Sequence, residues 1–198
     1  MHPLTTKSSL LVLALGSVIN TLGLLYSQHH GLKHFVENKC SNPRDVGFAS
    51  LKHNATMKYL IDGPLILVLP MVSALTSPCR VEIFRDFALL FGIILIIRGI
   101  SISLTQLPHT REVDTSRSLL KSCVFGADYD KIFSGHTAFM VVTTMILVQY
   151  GVWHPIMYVL PLAMGYLLIE TRSHYTVDVF LGGVIALLVV LVFKQNAA

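Results

Sequence analysis

The sequence predicts an all-α integral membrane protein with six transmembrane helices, and three observations carry that prediction. Of its 198 residues, 53% are hydrophobic and only 13% charged, against roughly 25% charged in a soluble domain. The apolar residues fall in uninterrupted runs close to the ~20 residues needed to cross ~30 Å of hydrocarbon. Only helices and closed barrels satisfy their backbone in lipid, and continuous runs favour helices.

Taken in order, the spans are expected near residues 9–27, 59–77, 84–105, 136–150, 155–171 and 176–193. The first follows a short start carrying Lys7. It is longer than a signal-peptide core and no small-x-small cleavage site follows it, so it reads as a retained anchor. The fourth and fifth runs are short and joined by a tight turn around Gly151 to Pro155. Two longer polar connections, about 28–58 and 106–135, alternate with short links, and with six spans both fall on the same membrane face. No linker, repeat or low-complexity tract divides the chain, and its length suits a single domain over 1–198.

The net charge of +4 comes from basic residues scattered between apolar runs, a pattern that suits anionic phosphate at a membrane surface better than nucleic acid. Cys40, Cys79 and Cys123 have neither CxxC spacing nor the density of a disulfide scaffold. Cys40 and Cys123 share the face of the long connections and become a candidate pair if that face is extracytoplasmic. Orientation is contested. Lys33, Lys39, Arg44, Lys52, Lys58, Arg111, Arg117, Lys121, Lys131 and Arg172 lie on that face, against Lys7, Arg80, Arg85 and Lys194 opposite, which taken alone puts it in the cytosol. The sequon Asn54-Ala55-Thr56 argues the other way.

Three elements on this face carry candidate chemistry. In Ser134-Gly135-His136-Thr137, Ser134 suits a helix cap, Gly135 permits close backbone approach, and the free N–H groups of a helix start attract phosphate oxygens beside His136. In His174-Tyr175-Thr176-Val177-Asp178, the i, i+4 spacing puts imidazole and carboxylate on one helix face; a carboxylate on one ring nitrogen fixes the tautomer and leaves the other nucleophilic. Arg98, late in the third run, is costly at membrane depth unless it serves a function, and its fork suits phosphate oxygens. The bland alternatives are an interfacial cap with an incidental histidine, a surface His/Asp pair, and an arginine snorkelling to the interface. Joined, the residues support a double displacement in which His174, oriented by Asp178, attacks phosphorus and His136 shuttles the proton. Arg98, with Lys131 or Arg172 as weaker candidates, stabilises charge on the non-bridging oxygens. The scheme calls for no metal or cofactor. His29, His30 and His34 have no cysteine or acidic cluster to complete a metal site, and Asp62-Gly63-Pro64 either lines the cavity or bends the chain.

Arg98 to Pro108, Asp130 to Thr137 and His174-Tyr-Thr-Val-Asp-Val179 together resemble the sphingomyelin synthase family within the phosphatidic acid phosphatase type 2 superfamily, over about residues 59–193. The resemblance implies transfer of a phosphocholine or phosphoethanolamine headgroup from a glycerophospholipid donor to a ceramide or diacylglycerol acceptor. It makes His136, His174 and Asp178 catalytic, with Arg98, Asp130, Lys131, Ser134, Gly135, Arg172 and Tyr175 around the substrate, and it implies an extracytoplasmic active-site face. Asp128-Tyr129 stands where the family has Cys-Gly, and the start before the first span leaves no room for the extra amino-terminal domain of some members. Two alternatives remain: a lipid phosphate phosphatase, whose pattern usually has a Lys and Arg-Pro motif that Arg98-Gly99 lacks, and a noncatalytic lipid-binding scaffold.

Overall fold

A computed structural model of the protein describes residues 5–31, 33, 45–57, 61, 64–105, 107–108 and 131–195. All regular structure among them is helical: α1 (Thr6–Gly31), α2 (Val46–Ser50), α3 (Pro64–Thr76), α4 (Arg80–Leu104), α5 (Gly135–Gln149), α6 (Val159–Glu170) and α7 (Thr176–Gln195), with 3-10 turns at Ala55–Met57 and Pro155–Tyr158. Each apolar run foreseen from the sequence contains a helix. Thr6–Gly31, Arg80–Leu104 and Thr176–Phe193 are long and apolar enough to cross a membrane. α5, with 15 residues, extends only ~22 Å at 1.5 Å per residue, and α3 and α6 are shorter still.

α4 starts four residues ahead of the expected 84, adding Arg80 and Glu82 to its first turn ahead of Arg85 and Asp86. Arg85 and Asp86 are paired within the bundle. Arg85 Nη2 pairs with Asp86 Oδ1 at 2.8 Å, and the Tyr150 hydroxyl donates to Asp86 Oδ2 at 2.7 Å.

α1 lies along α4 with their backbones in contact. A Cβ on Gly16 would strike the Gly92 carbonyl, one on Gly23 the Gly99 carbonyl, and one on Gly99 the Ile19 carbonyl oxygen at 2.6 Å. Two glycines per helix at the same spacing thus let the backbones approach, the small-residue packing expected where lipid removes the hydrophobic drive for helix association. Leu24 and Ile102 close the end of this seam.

The main core joins α4, α5 and α7 through Ile83, Leu90, Ile94, Ala138, Val142, Ile146, Ala186 and Val190, with Trp153 beneath. Phe87 and Phe91 of α4 meet Phe139 of α5 edge to face, with centroids 5.5 and 5.4 Å away. α6 is added through Met164 and Leu168 against Met140. This packing brings the C-terminal end of α4 and the starts of α5 and α7 to one end of the bundle.

Candidate functional site

Ser134 caps α5, its hydroxyl accepting the Thr137 N–H at 3.3 Å and the Thr137 hydroxyl at 3.0 Å. Its own N–H donates to the Asp178 carbonyl at 3.0 Å, tying the start of α5 to the first turn of α7. Gly182 makes this contact possible, because a Cβ there would lie 2.5 Å from the Ser134 carbonyl oxygen. The two histidine motifs are therefore joined through backbone, and Gly182 is a site determinant that sequence reading missed. Its one sequence signal was a Gly-Gly pair inside an otherwise bulky apolar helix.

Arg98 is 6% exposed, and Nε donates to the Phe133 carbonyl at 3.0 Å while Nη1 donates to Asn20 Oδ1 at 2.6 Å. The guanidinium is held inside the bundle, which is the opposite of snorkelling. Gly135 creates its seat: a Cβ there would stand 3.3 Å from Arg98 Nε and 3.6 Å from Cζ. The close approach expected of Gly135 is thus made by Arg98. Asn20, a polar residue within the first apolar run, escaped notice in the sequence.

His174 is buried and Asp178 fully so. His174 Nδ1 stands 3.4 Å from Asp178 Oδ2, long for a charge-assisted bond; such contacts commonly tighten only with substrate in place. The same Oδ2 accepts the Tyr175 N–H at 3.0 Å, the back-reaching half of a capping box. The expected i, i+4 pairing occurs, but His174 lies just before α7 instead of within it. Half-buried His136 faces it, with ring centroids 6.2 Å apart. His136, His174, Asp178, Arg98, Ser134 and Gly135 thus gather at one end of the bundle.

Arg172 and Tyr175 sit beside this group. The Arg172 guanidinium carbon lies 5.4 Å from the Phe48 ring centroid, and the Tyr175 ring stacks on Phe48 at 5.4 Å. The Tyr175 hydroxyl donates to the Pro108 carbonyl at 3.2 Å and is pushed up to about 12, chiefly by burial, with the Asp178 and Asp45 charges adding to it. Lys131, half-buried, is in the turn before Ser134. Asp130, Asp62, Gly63, Cys40 and Cys123 lie outside the described residues. His30 packs on Tyr26 at the end of α1, and among the described residues no group of three or more His, Cys, Asp or Glu is arranged to hold a metal ion.

No curated protein matches the chain significantly. Residues 129–196 match the family model described as PAP2 superfamily C-terminal, a stretch that carries His136, His174 and Asp178. The match supports the PAP2 superfamily, and with it lipid phosphatase or phosphotransferase chemistry in general, for this part of the chain.

Proposed function

We propose that the protein is a membrane lipid phosphotransferase that moves a phosphocholine or phosphoethanolamine headgroup from a glycerophospholipid to ceramide or diacylglycerol. The observation that carries this reading is the buried His174–Asp178 pair facing His136 beside an arginine seated on Gly135. In the first displacement the His174 ring nitrogen turned away from Asp178 attacks phosphorus, the bond to the diacylglycerol oxygen breaks, and protonated His136 supplies the proton that oxygen needs. A phosphohistidine results. In the second, neutral His136 takes the proton of the acceptor hydroxyl, the new phosphorus–oxygen bond forms, and the nitrogen–phosphorus bond breaks to restore His174.

Asp178 keeps a proton on Nδ1 and so leaves the other ring nitrogen nucleophilic. Arg98 and the positive N-terminal end of α5 meet the phosphoryl oxygens as charge builds on them. The three spans of sufficient length support a multipass membrane setting. In this reading α3, α5 and α6 complete six membrane helices, and the site opens to the extracytoplasmic leaflet.

The test is turnover of labelled phosphatidylcholine and phosphatidylethanolamine in vesicles containing ceramide and diacylglycerol, with products resolved by mass spectrometry. Wild type yields a new headgroup-bearing lipid and His174→Ala loses at least ~10³-fold in rate. Unchanged turnover in that variant refutes the mechanism. Release of free phosphate or phosphocholine with no new lipid moves the assignment to hydrolysis, with water as acceptor.

A further inference from the structure

The first N–H groups of a helix have no partner within it and are usually served by a small polar side chain immediately before it. α7 is preceded by Tyr175, whose side chain is directed to Pro108 instead. Its cap comes from a residue 131 positions away in sequence: the Thr176 N–H donates to Asp45 Oδ2 at 2.8 Å and the Thr176 hydroxyl to Asp45 Oδ1 at 2.7 Å. Oδ1 of the same carboxylate accepts the Phe48 N–H at 3.0 Å and so caps α2. Gly47 N–H donates back to Thr176 Oγ1 at 3.1 Å. The approach is close enough that a Cβ on Gly47 would strike Thr176 Oγ1 and the Ile169 side chain.

We infer that Asp45 is a positioning residue for the His174–Asp178 pair: one carboxylate ends two helices at once and locks α2 onto the first turn of α7. Thr176 is the midpoint of that pair, with His174 two residues before it and Asp178 two after. Asp178 Oδ2 is shared between His174 Nδ1 and the Tyr175 N–H, so any rotation of the first turn alters both contacts. Phe48 completes the clamp by stacking on Tyr175 and meeting Arg172. A displacement of ~1 Å at a reacting group costs on the order of 10²-fold in rate, so a remote cap acts on turnover more than on lipid capture. The inference rests on the phosphotransferase reading, since it assigns Asp45 no contact with substrate.

The experiment measures initial rates in phosphatidylcholine vesicles of varied ceramide content for the wild-type full chain, D45A, D45N, T176V, the D45A/T176V double variant and H174A. Asp45→Ala is expected to lower kcat on the order of 10-fold to 10²-fold while KM stays within about twofold, the split expected when transition-state geometry alone is lost. Asp45→Asn, which keeps an acceptor oxygen and caps well, recovers most of the loss. Thr176→Val keeps the backbone N–H to Asp45 and loses only the hydroxyl contacts, so it lowers kcat less than Asp45→Ala. The double variant falls short of the product of the two losses, because they share the hydroxyl–carboxylate bond. If D45A fails to fold, D45N and T176V carry the test, with thermal unfolding recorded beside the rates. Wild-type kcat in D45A and T176V, or losses that multiply in the double variant, overturns the positioning role while an inactive H174A leaves the reaction standing. An active H174A overturns the reaction and the inference together.

Discussion

α5 and α6 finish in the same backbone motif at opposite ends of the bundle, with different residues at its left-handed position. At the end of α5, Gly151 has φ 67°; its N–H donates to the Val148 carbonyl at 3.1 Å and the Val152 N–H to the Leu147 carbonyl at 2.9 Å. At the end of α6, Arg172 has φ 53°; its N–H donates to the Ile169 carbonyl at 3.0 Å and the Ser173 N–H to the Leu168 carbonyl at 2.9 Å. Both are Schellman endings, in which glycine is the ordinary occupant. The end away from the histidines uses glycine and avoids strain, whereas the end carrying them keeps a side chain where one costs roughly 1–2 kcal/mol. Backbone strain of this kind collects where a side chain is needed for function, and here it delivers a guanidinium to Phe48 beside Tyr175 and the His174 turn.

The two ends also hold their arginines differently, and this gives the largest expected contrast. Arg85 forms an ion pair with Asp86 at side-chain exposures of 28% and 29%, a setting in which such pairs contribute little. Arg98 is buried against Asn20 and a backbone carbonyl, beside Gly135 at the start of α5. Arg98→Ala is expected to lower kcat for lipid turnover by on the order of 10²-fold, the size of effect seen when one donor to a developing oxyanion is removed. Arg85→Ala should stay within a few-fold. Equal losses in the two variants would show that Arg98 acts on folding alone.

A smaller contrast lies in two phenols, one half-buried and one buried. Tyr150, at the far end, is pushed up to about 12 by burial and by its hydrogen bond to Asp86; Tyr175 reaches about 12 mainly by burial. A tyrosine whose folded pKa exceeds its ordinary value of about 10 is stabilised in its neutral form. That stabilisation is complete below pH ~10 and is lost as pH rises toward about 12. Tyr150→Phe and Tyr175→Phe should each flatten the fall in thermal stability across that window. At neutral pH only Tyr175→Phe should slow turnover, several-fold, because its hydroxyl anchors Pro108 beside the site. Matching neutral-pH rates for the two variants would remove Tyr175 from the site.

What could be read from sequence follows a physical divide between local and distant interactions. The helices were legible because lipid demands continuous apolar runs, and the Ser134 cap and His174–Asp178 pairing were legible because each depends on residues three or four positions apart. Asn20 with Arg98, separated by 78 residues, and Asp45 with Thr176 depend on which helices meet, and no local pattern encodes that. The glycines at 16, 23, 92 and 99 are visible as a spacing, but their meaning appears only when α1 and α4 are laid together. Asp86 shows both sides of the divide, since its ion-pair partner Arg85 is its neighbour in sequence and its hydrogen-bond partner Tyr150 is distant.

The smallest effect tests the comparison of helix endings most directly. Gly151 has nothing within 4 Å of where its Cβ would stand, so Gly151→Ala meets no steric obstacle and reports the left-handed backbone alone. It should destabilise the protein by ~1 kcal/mol and leave lipid turnover unchanged. Arg172→Gly relieves the corresponding strain but removes the guanidinium from Phe48, so stability should hold or rise by up to ~1 kcal/mol while the rate at low lipid content falls. Thermal unfolding and turnover measured on the same preparations separate these outcomes. If Arg172→Gly loses stability and keeps full activity, the guanidinium serves the fold through its contact with Phe48, and the difference between the two endings reflects packing.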